Sequence, residues 1–480
     1  MPTYKVTIGL EVHAELNTRT KMFCDSVNDP DESRPNTNVC PVCLGHPGAL
    51  PTINRQAVES VIKVGLAIGA KINELTKFDR KNYFYPDLPK GYQISQYDLP
   101  LVVGGELAGV AVTRIHLEED AGKLVHSSDG STLVDFNRAG VPLMELVTEP
   151  VIGSAEEAVR FMKEFQLLLR YLGVSDADLE RGQMRADANV SISATEKLGT
   201  RAEIKNLNSF RAVADAIAYE IARQTKILEE GGKVEQETRG WDETKQKTES
   251  QRSKEHAHDY RYFPEPDLPP FETAKFNPED LRAHLPELPR TKQARFVGEF
   301  GLTEAQAGAL VEDKRLAEYF EEAASELAER DETNASRLDK SEQELLFNYL
   351  TSDLVGLLNE TGISLTECKV NPAELAALVD MIVDGKIMSR QAKDILRKMF
   401  ENGESAETIL NAEGLHTVSD EAELMTTIVS VIADNESAAA DYRKGKVASL
   451  QFLVGKAMGK LKGRGNPETL KKLFIEALTK

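Results

Sequence analysis

A carboxylate and an imidazole stand two residues apart in Gly9-Leu10-Glu11-Val12-His13. The run is strand-like, so Glu11 and His13 leave the same face. Such a pair binds a divalent cation or forms an internal hydrogen bond. A second acidic set lies at Arg114-Ile115-His116-Leu117-Glu118-Glu119-Asp120-Ala121-Gly122-Lys123. Consecutive carboxylates repel one another unless a cation or a lysine neutralises them. A Mg2+ shared with Glu11 and His13 would do so, because that ion takes one or two carboxylates plus substrate phosphate. A solvated acidic turn is the other reading.

Three further segments carry functional side chains. Lys81-Asn82-Tyr83-Phe84-Tyr85-Pro86-Asp87-Leu88-Pro89-Lys90, followed by Gly91 to Gln96, is aromatic, proline-pinned and set between two lysines, which suits a rigid binding loop. In Gln183-Met184-Arg185-Ala186-Asp187-Ala188-Asn189-Val190-Ser191, alternation puts Arg185, Asp187 and Asn189 on one strand face. Glu203-Ile204-Lys205-Asn206 alternates in the same way. Both polar faces are also compatible with plain solvation. Cys40-Pro41-Val42-Cys43 is a CxxC knuckle and Cys24 is a third thiol, one short of a closed four-ligand zinc site. No phosphate-loop or nucleophile-elbow motif is present, so any ATP use is of another type.

The elements that must position these residues fall into two styles. Residues 1–290 mix strand-like runs, such as Lys5-Val6-Thr7-Ile8 and 109–115, with amphipathic helices at 155–171 and 210–228. There is no regular βαβ alternation, so the fold class is α+β with an antiparallel sheet. Prolines 264, 266, 269, 270, 278, 286 and 289 then predict a boundary near 290. Beyond it the pattern is helical, at 303–330, 342–358, 372–384, 390–401 and 421–433, with Asn466 and Pro467 opening a last helix. The expected domains are 1–290, 291–405 and a small helical tail at 406–480.

With 480 residues, 41% hydrophobic and 28% charged, the chain has material for several cores. No targeting segment and no stretch long enough to span a membrane is apparent. Four cysteines, three of them clustered, read as a metal or redox set in a cytoplasmic protein. The net charge of -20 opposes nucleic-acid binding overall, yet ten basic residues and only Glu468 and Glu476 lie from Arg443 onward. The tail is a basic element on an acidic body.

Together these motifs, with Asp259-Tyr260-Arg261-Tyr262-Phe263-Pro264-Glu265-Pro266-Asp267-Leu268, Glu203 to Phe210 and Pro35-Asn36-Thr37, resemble the B subunit of the Glu/Asp-tRNA amidotransferases, from residue 3 to the C-terminus. The resemblance implies a cradle-like α+β catalytic domain, a helical domain and a tRNA-binding tail. It implies ATP-dependent phosphorylation of the side-chain carboxylate of misacylated Glu-tRNA(Gln), Asp-tRNA(Asn) or both, then amidation. Ammonia would come from a glutaminase, the A subunit, while a small C subunit would brace the pair in a heterotrimer. In these terms Glu11, His13 and Glu119 hold Mg2+, with Glu203 a weaker fourth. Lys81 and Lys90 contact phosphate or line the ammonia path, and Arg185 and Asp187 face the reaction centre. Lys456, Lys460, Lys462 and Arg464 face the tRNA. Zinc-binding members carry CxC before CxxC; Ser26 stands at the second of those positions here, so Zn2+ is not counted with ATP and Mg2+ as a cofactor. A stand-alone Mg2+-dependent ligase and a non-enzymatic tRNA scaffold are the competing classes.

Overall fold

The computed structural model describes residues 4–253, 260–330, 340–414, 421–461 and 464–479. Lys462 and Asp259 lie outside the described residues. The chain divides into two compact units, Met1–Pro289 and Arg290–Lys480.

In the first unit, seven strands of six or more residues build one sheet. They are β1 (Lys5–Glu15), β2 (Val110–Glu119), β3 (Pro142–Thr148), β4 (Met184–Ser193), β5 (Ala202–Leu207), β6 (Glu237–Asp242) and β7 (Lys247–Ser253). Their order is β7-β6-β5-β4-β1-β3-β2, continued by the short strands Val102–Val103 and Lys71–Ile72. All these pairings are antiparallel except β5 with β6, which is parallel. That departs from the expected antiparallel sheet, and the reason is local. A 20-residue helix, Phe210–Glu229, joins β5 to β6, and a crossover of that length returns the chain in the same direction.

Alternation along the strands separates two faces. Ile8, Leu10, Val12 and Ala14 of β1 are buried on one side with Met184, Ala186, Ala188 and Val190 of β4. The helices Ala155–Tyr171 and Phe210–Glu229 supply the rest of that core through Phe161, Phe165, Val213 and Ile217. Both begin at serine N-caps: Ser154 accepts from the Glu157 amide and Ser209 from the Ala212 amide. The opposite face of the same strands carries the polar residues.

The second unit is helical. The run expected at 303–330 is two helices, Glu304–Val311 and Lys314–Arg330. Asp313 divides them, its carboxylate accepting from the amides of Arg315 and Leu316. The run at 342–358 is interrupted by a π-helical turn at Tyr349–Leu354. Leu424, Ile428, Leu450, Leu453, Leu470 and Phe474 form a hydrophobic cluster of their own towards the C-terminus. Asn466 caps the final helix, Pro467–Thr479, by accepting from the amides of Glu468 and Thr469. Among the described residues no helix is long and apolar enough to cross a membrane.

Candidate active site

Register, rather than sequence proximity, assembles the site. Glu11 of β1 pairs with Asp187 of β4, and His13 with Arg185. On the other side of β1, His13 pairs with Glu145 of β3, and Glu145 in turn with His116 of β2. Asn189 of β4 pairs with Glu203 of β5. One polar row therefore crosses five adjacent strands.

Two groups of metal-ligating type lie along this row: His13, Glu118 and Glu145, and Glu11, Asp187 and Glu203. In each, one donor atom from every residue lies within 4.8 Å of the others. His13 Nε2 is 3.3 Å from Glu145 and 3.5 Å from Glu118. His116 Nε2 is 3.4 Å from Glu145. Asn189 Nδ2 donates to Glu11 at 3.0 Å, and Lys205 Nζ lies 2.7 Å from Asp187 and 3.2 Å from Glu203.

The electrostatics match this crowding. Burial, then the charges of Glu145, Asp187 and Glu203, raise the Glu11 carboxyl above its ordinary range. Burial works against the His13 imidazolium, but the hydrogen bond to Glu145 and the charges of Glu145 and Glu118 outweigh it, and the pKa rises. Burial also opposes charge on Glu145, yet His116 and His13 hold its carboxyl well below the usual range. Carboxylates at such density fit divalent cations with oxygen-rich shells.

A cavity of about 360 Å³ opens over His13 and Glu118, and Lys81 lines it. Burial would discharge Lys81, but the nearby Glu118 and the Tyr262 and Glu145 groups keep its pKa above the ordinary lysine value. The Tyr260 ring lies 5.1 Å from its Nζ. Arg185 lines the same cavity and is held by Asp120 at 2.8 Å, with Arg138 at 3.5 Å from the same oxygen.

The aromatic loop is tied down from a distance. Its flanking strands Asp79–Asn82 and Tyr92–Ser95 pair with each other, and Phe263–Pro264 pairs with the former. Arg80 donates to both oxygens of Glu265 at 2.6 and 2.8 Å and lies over the Tyr92 ring. Two motifs far apart in sequence thus meet beside Lys81.

Glu119 and Lys90 do not join the cluster. Adjacent strand residues face opposite sides, and Glu119 takes the side of Ile115 and Leu117. There it accepts from Lys90 Nζ at 2.5 and 2.6 Å and from the Ile94 amide at 2.9 Å. The expected Glu11–His13–Glu119 set is replaced by Glu118 beside His13, with Glu145 completing it. Sequence reasoning misses Glu145. Its signal is a lone acid within the apolar run Leu143-Met144-Glu145-Leu146-Val147. Lys81, Arg185 and Asp187 do face the cavity, and Glu203 sits with Glu11.

The cysteines converge: one Sγ from each of Cys24, Cys40 and Cys43 lies within 4.8 Å of the others. The next donor is Ser26 Oγ, 4.0 Å from Cys43 Sγ, a hydroxyl where a closed zinc site needs a thiolate or imidazole. Lys21 Nζ is also 4.0 Å from Cys43 Sγ and donates to the Ala139 carbonyl at 2.8 Å. The residues present do not complete a four-ligand zinc site.

In the second unit, Lys456 is exposed above the Phe452 ring, while Lys460 is paired with Asp434 at 2.5 Å. Arg464 donates weakly to the Leu461 and Gly414 carbonyls.

A carboxylate- and histidine-rich sheet face with a half-buried ammonium above it has the charge of both signs that suits phosphate- or carboxylate-bearing reactants. Residues 6–276 match the family model of the GatB/GatE catalytic domain, and residues 331–478 that of the GatB domain. Over 495 residues the chain is 48% identical to the B subunit of the aspartyl/glutamyl-tRNA(Asn/Gln) amidotransferase of Dehalococcoides mccartyi, covering 100% of this chain and 99% of that one. The corresponding protein of Carboxydothermus hydrogenoformans is 45% identical over 494 residues, with 100% of both chains covered. The chain belongs to the GatB family of amidotransferase B subunits.

Proposed function

We propose that the chain activates the side-chain carboxylate of Glu-tRNA(Gln), Asp-tRNA(Asn) or both with ATP, and that ammonia then converts it to the amide. The carboxylate oxygen attacks the γ-phosphorus, ADP leaves, and an acyl phosphate forms. Ammonia attacks the acyl carbon and inorganic phosphate departs. The observation that carries this reading is the polar row across β2, β3, β1, β4 and β5 facing the Lys81 cavity. Phosphoryl transfer requires positioning and charge neutralisation more than covalent help from the protein.

Lys81 supplies a fixed positive charge where the acyl phosphate develops negative charge. Arg185, fixed by Asp120, orients the incoming carboxylate. His13, Glu118 and Glu145 would hold one Mg2+, and Glu11, Asp187 and Glu203 a second. When bound, such ions screen the negative charge of the nucleotide phosphates. The glutaminase (the A subunit) and the small C subunit that the resemblance implies are the proposed partners, in the cytoplasm. Lys456 and its basic neighbours are proposed to contact tRNA phosphates, since shape and backbone rather than base identity suit a basic helical face.

The test is ADP formation by the reconstituted heterotrimer, with misacylated tRNA present and absent, comparing wild type with Glu118→Gln. ADP release that needs the charged tRNA and falls about 100-fold or more in the variant supports the reading. Release indifferent to tRNA and to the substitution refutes it.

A further inference from the structure

The three clustered thiols take no part in the reaction proposed above, and they do not complete a zinc site. Their surroundings are nevertheless specific. Cys43 is 4% exposed, while Cys24 and Cys40 are half-buried. The Cys40 amide donates to Cys43 Sγ at 3.0 Å, and Lys21 Nζ and Ser26 Oγ each stand 4.0 Å from that sulfur. Lys21 is fully buried. Its hydrogen-bond partners are the neutral carbonyls of Ala139 and Phe136, at 2.8 and 3.3 Å, and the Cys43 sulfur. A buried ammonium is stable only beside an anion, and a thiolate on Cys43 supplies one. The Cys24 hydrogen bond, the Cys40 amide and the Lys21 charge together bring the Cys43 thiol down to about 5. The same hydrogen bond pushes the Cys24 thiol up, so Cys24 keeps its proton and donates it.

We propose that Cys43 and Cys40 are a peroxide-oxidisable dithiol, a modification site whose disulfide form lowers the activity of the neighbouring sheet site. The Leu44 amide donates to the Cys40 carbonyl at 3.0 Å, which folds both cysteines into one turn with their sulfurs 3.8 Å apart. A disulfide needs about 2.05 Å, a closure of less than the turn's own width. The Cys43 thiolate attacks one oxygen of hydrogen peroxide. The O–O bond breaks, the sulfur becomes a sulfenic acid, and hydroxide leaves to take a proton from solvent. The Cys40 sulfur then attacks Cys43 Sγ, the S–O bond breaks, and the thiol proton departs with the hydroxide as water. Two thiols and one peroxide thus give one disulfide and two waters. Burial of Cys43 restricts the oxidant to a hydroperoxide of nearly water size. A dithiol reverses the step at the more accessible Cys40 sulfur, because the Cys43 thiolate is the better leaving group.

Two contacts tie this turn to the site. The Phe136 and Ala139 carbonyls that Lys21 holds bracket Arg138, which lines the Lys81 cavity and lies 3.5 Å from Asp120, the partner of Arg185. Oxidation removes the anion beside Lys21 and so loosens the segment that places Arg138. Gly45, just after the cysteines, is pressed onto Lys90: a Cβ there would lie 2.6 Å from Lys90 Cγ and 3.2 Å from its Cα. Movement of the turn is therefore felt at Lys90 and at its partner Glu119.

The test treats the reduced heterotrimer with hydrogen peroxide, quenches it with an alkylating agent, maps the cysteines by peptide mass spectrometry, and measures ADP formation and zinc content on the same samples. Burial raises the Cys368 thiol, which makes it the internal control. A Cys40–Cys43 disulfide forming at least about tenfold faster than Cys368 is oxidised supports the proposal. So does ADP formation that falls about tenfold or more and returns with dithiothreitol, the scale of a small displacement in a site. In Cys24→Ser/Cys40→Ser, which has no neighbouring thiol left, dimedone should label Cys43 as the trapped sulfenic acid. Oxidation of Cys43 no faster than that of Cys368, zinc near one per chain in the wild type, or full activity in the disulfide form each overturns it. If the double variant does not fold, the wild-type mapping decides. A reduced wild type that makes no ADP would remove the ATP reading instead, and the mapping would still decide whether the dithiol exists.

Discussion

Replacing Glu119 should cost stability, whereas replacing its neighbour Glu118 should cost catalysis. Glu119 holds Lys90 with both oxygens, and the two side chains are only 5% and 11% exposed. Glu119→Ala leaves a largely buried ammonium unpaired and removes the acceptor of the Ile94 amide. Breaking a buried pair from one side costs about 3–5 kcal/mol. For a unit as long as Met1–Pro289, each kcal/mol moves Tm by ~2 °C, giving a drop of about 6–10 °C. Removing both charges in Lys90→Met/Glu119→Leu should recover most of it, leaving ~1 kcal/mol for the Ile94 amide. Glu118→Gln keeps its shape and its neighbour Ser95, so Tm should move far less while ADP formation collapses. Thermal melts followed by circular dichroism, run beside the ADP assay on the same preparations, measure both quantities. A Glu119→Ala protein that melts like wild type but makes no ADP would show that Glu119, not Glu118, faces the reaction, and the strand-face argument would fail.

Three further outcomes are expected. Chelation should abolish ADP formation and added Mg2+ restore it, while Glu145→Gln should weaken Mn2+ binding, read by electron paramagnetic resonance, at least about tenfold; unchanged Mn2+ affinity would exclude Glu145 as a ligand. Lys456→Ala should weaken tRNA binding and make the salt dependence shallower by about 0.7–0.9 in log–log slope, and Lys460→Ala should do less because Asp434 already neutralises it. Equal losses would refute that ranking. Ser26→Cys should raise the zinc content of the purified protein to near one per chain by completing the thiolate set, and metal analysis showing no increase would mean that the three sulfurs are not arranged for that ion.

Period-two alternation exposes Glu11 with His13, and Arg185 with Asp187, because each pair lies on one strand and the signal is local. The helix Ala155–Tyr171 is equally legible from its apolar stripe. What local pattern does not hold is which strands become neighbours. Glu145 reaches His13 only through the β1–β3 register, across a separation far longer than any motif. Two acids in succession, Glu118 and Glu119, look interchangeable until the phase of the strand is known. That phase is present in the chain: Ile115 and Leu117 mark the core side, so His116 and Glu118 take the other. The division at Asp313 is hidden because Ala, Glu and Leu continue on both sides of a single capping side chain.

The central place of β1 has a consequence for synthesis on the ribosome. Its partner β4 and the next strand, β5, end at Ser193 and Leu207, so roughly 200 residues must follow Glu11 before the polar row is complete. At ~5–20 residues per second that is a wait on the order of 10–40 s. Until β3 is made, at Thr148, β1 has both hydrogen-bonding edges unclaimed, and the edge that β4 will cover stays open until Ser193, a state exposed to wrong partners. The nascent chain therefore carries Glu11 and His13 without Glu145, Asp187 and Glu203 until β3, β4 and β5 have been made.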